Sequence, residues 1–395
     1  MLGGQALQVA IGWEIYERTN SAFALGLVGL VTVVPVVLLA LPAGHLADRM
    51  DRRKIVIIAQ ILFITMSLSL ALESWMQGSI LIVYGILLVN GIGQAYNNPA
   101  RSALLPRLVP AKDFANAVTW SSSAFQTSAV VGPALGGLLI ALQHRATGAY
   151  LLDAVLTSIY LVMLLAIRSN TDPRNESAAS ALKPREKMTL QSLAAGLHFV
   201  KDTKVILAAL TLDLFAVLFG GATALLPIFA KDILHVGPEG LGWLRAAPSV
   251  GALIVMVALA HRRPMEKTGW TLIGVVAGFG AATIVFGLSR SFLLSLAMLF
   301  LLGLLDGISM VIRATLVQLW TPDEMRGRVS AVNSVFIDMS NELGGFESGA
   351  LAAAVGPVAA VVGGGIGTIA VVAGVAYAWP ELRRLGALAP PEHIT

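Results

Sequence analysis

The stretch Gly44-His45-Leu46-Ala47-Asp48-Arg49-Met50-Asp51-Arg52-Arg53-Lys54 decides the fold. An almost uncharged apolar run, Phe23 to Leu46, leads into it, and another, Ile55 to Leu72, leads away. Each run is long enough to cross a bilayer as a helix, which takes about 20 residues. Six charges in the seven positions from Asp48 to Lys54 cannot enter hydrocarbon, so the stretch is a tight hairpin at a membrane surface. Four of the six are basic, which assigns that surface to the cytoplasmic side.

Composition extends this reading to the whole chain. Of 395 residues, 56% are hydrophobic and 13% charged, and the mean hydropathy is +0.78. Soluble domains carry about 25% charged residues, so most of this chain faces lipid or other helices. There is no cysteine, which excludes disulfides, thiol catalysis and cysteine-ligated metals. The net charge of +4 follows the topology and suggests no nucleic-acid partner. No basic segment precedes the first apolar run, so no cleavable signal peptide is expected.

Hydropathy predicts twelve spans. They are Leu2–Tyr16, Phe23–Leu46, Ile55–Leu72, Ser79–Asn97, Val118–Leu142, Tyr150–Ile167, Val205–Ala230, Leu241–Ala260, Trp270–Leu288, Phe292–Leu319, Val329–Val355 and Val358–Ala378. An all-α membrane protein is expected, with bundles at 1–168 and 190–380, a polar cytoplasmic linker at 169–189 and a cytoplasmic tail at 381–395. Both termini then lie in the cytoplasm. Basic residues crowd the loops assigned to that side, whereas the opposite side holds Arg18, Arg145, Lys231 and Arg290.

The two halves echo one another. Arg101, Leu104 and Pro110 recur as Arg313, Leu316 and Pro322, each 212 positions later (313 − 101 = 212). Gly91, Gly132 and Gly137 recur at the same offset as Gly303, Gly344 and Gly349. Two parallel six-helix halves, related by an axis along the membrane normal, follow from such a repeat. The repeat also makes the first helix short at its cytoplasmic end. Leu2–Tyr16 gives about 22 Å at 1.5 Å per residue, less than the roughly 30 Å core.

These motifs resemble the major facilitator superfamily. The hairpin reads G-x-L-A-D-R-x-x-R-R, and Gly44, Leu46, Asp48, Arg49, Arg52 and Arg53 match that superfamily's signature; Asp51 stands where a glycine is usual. Span five carries Gly132-Pro133-Ala134-Leu135-Gly136-Gly137, similar to the Gly-Pro-x-x-Gly-Gly motif of proton-antiporting exporters. Asn98-Pro99-Ala100-Arg101, Arg326-Gly327-Arg328-Val329 and the run Asn341 to Gly349 resemble the enterobactin-exporter-like branch. Leu87 occupies the position where many drug exporters carry a membrane-embedded arginine.

The resemblance implies a secondary transporter that exports a small amphiphilic molecule, siderophore or drug-like, by proton antiport. It implies an inner-membrane location, a monomer, and neither cofactor nor metal. Importers and non-transporting scaffolds share the fold class; the span-five motif argues against the first and charges inside spans of both halves against the second. Gly44, Asp48, Arg49, Arg52, Arg53 and Arg101 would form a conformational latch, although the bare charge pattern also suits a solvated turn. Gly132, Pro133, Gly136 and Gly137 would form a gate against proton leak, or simply pack tightly.

Charges inside spans are expensive and usually face a cavity or a partner. Asp213 in span seven is the leading proton-carrier candidate, with an ion pair to Arg245 of span eight as the structural alternative. Asp306 and Arg313 in span ten share a helical face about 10 Å apart along the axis, so each is expected to find another partner. Glu14, near Trp13 and Tyr16, either lines a cavity or reaches the outer surface with Glu17 and Arg18. Asp153, Asp338, Glu342 and Glu347 complete the set, Glu347 first among them. His45, His198, His235 and His261 lack metal-ligand spacing, and no P-loop is present, so direct ATP drive is not expected.

Overall fold

A computed structural model describes residues 1–167, 190–261, 267–322 and 324–387, apart from a few side chains inside helices. The described chain is helical. Its elements are α1 (Leu2–Thr19), α2 (Ala22–Arg49), α3 (Arg52–Met76), α4 (Ile80–Leu108), α5 (Phe114–Gln143), α6 (Thr147–Ala166), α7 (Leu190–Asp202), α8 (Lys204–Phe219), α9 (Gly237–Ala260), α10 (Thr268–Leu288), α11 (Phe292–Trp320), α12 (Arg326–Val355), α13 (Pro357–Ala378) and the short α14 (Pro380–Arg383). Ten helical segments among the described residues are long and apolar enough to cross a membrane. Helices α1 and α12 are not among them. Charge explains this for α1, which carries Glu14, Glu17 and Arg18; α12 contains side chains outside the described set.

Two compact units form. The first comprises Met1–Thr19 with Leu30–Lys187, the second Asn20–Gly29 with Met188–Thr395. In the first, α3 packs on α4 and α6, and α1 packs on α5 and α6. Ile55, Val56, Ala100, Leu104 and Leu164 form a buried cluster there. In the second, α11 packs on α9 and α10, α10 on α13, and α8 on α12 and α13. Ile206, Leu212, Leu272, Ile312 and Leu316 are fully enclosed in the larger core of that unit. Meanwhile Leu38, Leu81 and Leu293 stand more than 70% exposed, as lipid-facing leucines do.

The hairpin is tight for a local reason. Asp51 has extended backbone angles and caps α3: its Oδ1 accepts the Arg53 backbone N–H at 2.9 Å. The aspartate at a position where glycine is usual therefore starts a helix. The seventh span departs from expectation. Helix α8 stops at Phe219, where Gly220 and Gly221 meet, and the chain continues through a 3-10 turn (Gly221–Thr223), one α turn (Leu226–Ile228) and a π turn (Phe229–Ile233). Paired glycines offer no side-chain packing to hold a regular helix and allow the change of winding. Arg101 lies inside α4, which runs eleven residues beyond the expected end of its span to Leu108. The linker assignment at 169–189 and the end of the tail lie outside the described residues.

Candidate functional site

Helix α8 brings Asp213 against α11, and there the principal charge cluster forms. The Asp213 carboxylate pairs with the Arg313 guanidinium. Arg313 Nη2 lies 3.7 Å from Asp306 Oδ1, and Arg313 Nε donates to Ser309 Oγ at 3.2 Å. Asp213 and Arg313 are both buried, whereas the Asp306 side chain is 47% exposed. One cation thus sits between an enclosed carboxylate and a partly exposed one. Each opposite charge offsets part of the desolvation cost of its partner, which is how such groups persist inside apolar helices.

Two expectations are corrected here. Asp306 and Arg313 do meet directly, because the axial separation of their backbones neglects the long arginine side chain, which leans along its own helix. Asp213 pairs with Arg313 and not with Arg245. Arg245 Nη1 instead donates to the Thr223 carbonyl at 3.5 Å, just past the break in span seven, and lies within the field of the Glu342 carboxylate. Glu347 is half-buried and accepts from Ser348 Oγ at 3.4 Å. Ser309 was not singled out from the sequence, although its i−4 position relative to Arg313 is the spacing at which helical side chains meet.

The first unit holds a second polar cluster. Glu14 is buried; its Oε2 accepts the Tyr150 hydroxyl at 2.7 Å, and Oε1 lies 3.3 Å from Arg18 Nη1. Arg18 Nη2 reaches Glu73 at 3.3 Å and donates to the Gly78 carbonyl. Glu17 accepts from Trp13 Nε1 at 2.8 Å. Glu14, Glu17 and Arg18 line a polar cavity of about 610 Å³ with Gln77, His144 and Arg145. Glu14 thus lines a polar pocket together with Glu17 and Arg18, and Arg18 ties α1 to the α3–α4 turn. Tyr150 and Glu73 were missed: nothing local marks Tyr150, while Glu73 and Arg18 are opposite charges at the same ends of their spans. Asp153 is also buried and accepts from Ser67 Oγ at 2.6 Å.

The motif residues have local partners as well. Arg53 Nη2 donates to the carbonyls of Leu164 at 2.9 Å and Leu165 at 3.1 Å, capping the C-terminal end of α6. Arg101 stacks its guanidinium 6.0 Å from the Tyr160 ring centre. Gly132 and Gly136 press α5 onto α1: a Cβ on Gly136 would sit 2.8 Å from the Ala6 carbonyl oxygen. No described residue lies within 4 Å of where a Cβ on Gly44 would sit. The side chains of Asp48, Arg49 and Asp338 lie outside the described set. Outside the membrane-spanning segments, Glu381 is held below the usual carboxylate range by its own backbone N–H and by Lys204, whose Nζ is 3.0 Å away.

The transmembrane secretion effector family matches residues 1–392. Enterobactin exporter EntS of Citrobacter koseri is 28% identical over 382 residues, covering 96% of this chain and 88% of that protein. The protein of the same name from Escherichia coli O1:K1 is 27% identical over the same length, with the same shares covered. Among solved structures, a bacterial homologue of the human lysosomal transporter Spinster superposes with a TM-score of 0.68 at 15% identity, covering 96% of this chain and 94% of that one. A D-xylose–proton symporter gives 0.67 at 13%, covering 95% of each chain. These folds are those of transporters rather than enzymes. The chain belongs to the transmembrane secretion effectors, an enterobactin-exporter-like branch of the major facilitator superfamily.

Proposed function

We propose that this multi-pass membrane protein exports a small amphiphilic molecule, siderophore or drug-like, by alternating access coupled to inward proton movement. The match to secretion effectors from residue 1 to residue 392 carries the export reading. The Asp213–Arg313–Asp306 cluster supports the coupling: a carboxylate paired inside apolar helices can exchange its ion pair for a proton. In this reading twelve spans form two six-helix bundles, 1–168 and 190–380, joined by a cytoplasmic linker at 169–189. The protein works as a monomer in the inner membrane with both termini in the cytoplasm, and 381–395 is a cytoplasmic tail.

Asp213 carries the proton, and Arg313 and Asp306 set when it binds. Glu14 serves the polar route within the first unit, and Arg245 and Glu347 serve it within the second. Gly44, Asp48, Arg49, Arg52, Arg53 and Arg101 act as a latch on conformational state, and Gly132, Pro133, Gly136 and Gly137 act as a gate. Enterobactin is the first substrate to test, because the relatives' names specify it. In inverted membrane vesicles holding the protein, respiration-driven acidification should accumulate enterobactin inside. Equal accumulation in vesicles lacking the protein would overturn the reading.

A further inference from the structure

We propose that the outer surface of the first unit binds one anionic phospholipid, with its headgroup on Arg53 and Lys54 and one acyl chain along the α3–α6 groove. The groove is apolar, of about 460 Å³, and its wall includes Leu68, Leu151, Val155, Ile159, Val162 and Met163. Val162 and Met163 are 65% and 61% exposed. The lone hydroxyl in the wall, on Ser158, is closed onto the Ala154 carbonyl at 2.7 Å. Nothing along the groove asks for a polar ligand, so its occupant there is hydrocarbon.

Length and charge select the occupant. From Leu151 to Met163 the groove follows twelve steps of α6, about 18 Å. That is close to half of the roughly 30 Å hydrocarbon core, the depth one lipid tail reaches. The groove ends where Met163 gives way to Leu164 and Leu165, whose carbonyls Arg53 caps. The guanidinium is thus fixed at the mouth of the groove. Lys54, the next residue along α3, is exposed. Arg52 adds a third positive charge, against the one carboxylate of the α3 cap, Asp51. A basic cluster at the end of an apolar groove between membrane helices fits a phosphate on a hydrocarbon tail.

The test uses the purified full chain in detergent, titrated with phosphatidylglycerol or phosphatidylcholine and followed by native mass spectrometry. One phosphatidylglycerol should be retained in preference to phosphatidylcholine. Lys54→Gln should weaken that retention about five-fold, the effect of one basic residue at an anionic surface. Val162→Trp, which fills the groove from its lipid-exposed side without touching any charge, should weaken it for both lipids. Inorganic phosphate should not compete. Equal retention of the two lipids, retention indifferent to Val162→Trp, or displacement by inorganic phosphate would each overturn the proposal.

Discussion

Asp213→Asn tests the charge cluster with little change of shape. Removing one partner of a buried ion pair generally costs about 3–5 kcal/mol, since the remaining charge is left in a poor solvent. Here Arg313 keeps Asp306 at 3.7 Å and Ser309 at 3.2 Å. At an effective dielectric of about 20 a 3.7 Å pair is worth about 4 kcal/mol before screening. With the Asp306 side chain 47% exposed, screening reduces this to about 1 kcal/mol. Asp213→Asn should therefore sit at the lower end of the range, about 3 kcal/mol. Arg313→Met strips the cation from two carboxylates at once and should cost about 5 kcal/mol. At about 2–4 °C per kcal/mol, thermal unfolding of the purified protein should fall by about 6–12 °C for the first variant and further for the second. Equal melting of the two variants, or the reverse order, would refute this account of the cluster.

Other consequences are local. Tyr150→Phe leaves the buried Glu14 carboxylate short of a 2.7 Å hydrogen bond and should cost about 1–3 kcal/mol, read by thermal unfolding. Asp51→Ala should cost about 1 kcal/mol through loss of the α3 cap, but Asp51→Gly a few tenths, in the same assay. Gly136→Ala drives a methyl into the Ala6 backbone and should lower the melting temperature, whereas Gly44→Ala, with no described residue within 4 Å of its methyl, should leave it unchanged. A transport defect in Gly44→Ala without a melting change would then report on the latch. Asp213→Asn should retain enterobactin binding, measured by tryptophan fluorescence, and lose accumulation against a gradient.

Hydropathy located the membrane helices because lipid leaves no alternative to internal hydrogen bonding over a long apolar run. Their ends were harder to place. Helix α4 continues past Asn97 to Leu108, since a helix has no reason to stop where the hydrocarbon does. Helix α7, at Leu190–Asp202, escaped notice because it is too short and too polar to read as a span. The break after Phe219 had a signal, Gly220-Gly221, that the apolar count overrode. Asp213, Asp306 and Arg313 stood out as charges in apolar surroundings, but their pairing was not legible: the sequence contains no information on which face of α8 meets α11, and backbone spacing alone understated the reach of Arg313. Arg53 shows the opposite case, a motif residue whose contact with α6 is more than a hundred positions away along the chain.

The central claim is that inward proton movement through the Asp213 cluster drives export. It is tested most directly by loading inverted vesicles with enterobactin under respiration and then adding a protonophore. The account predicts that accumulated substrate drains away and that vesicles carrying Asp213→Asn never accumulate it. Accumulation that survives the protonophore, or full accumulation by the variant, would contradict it.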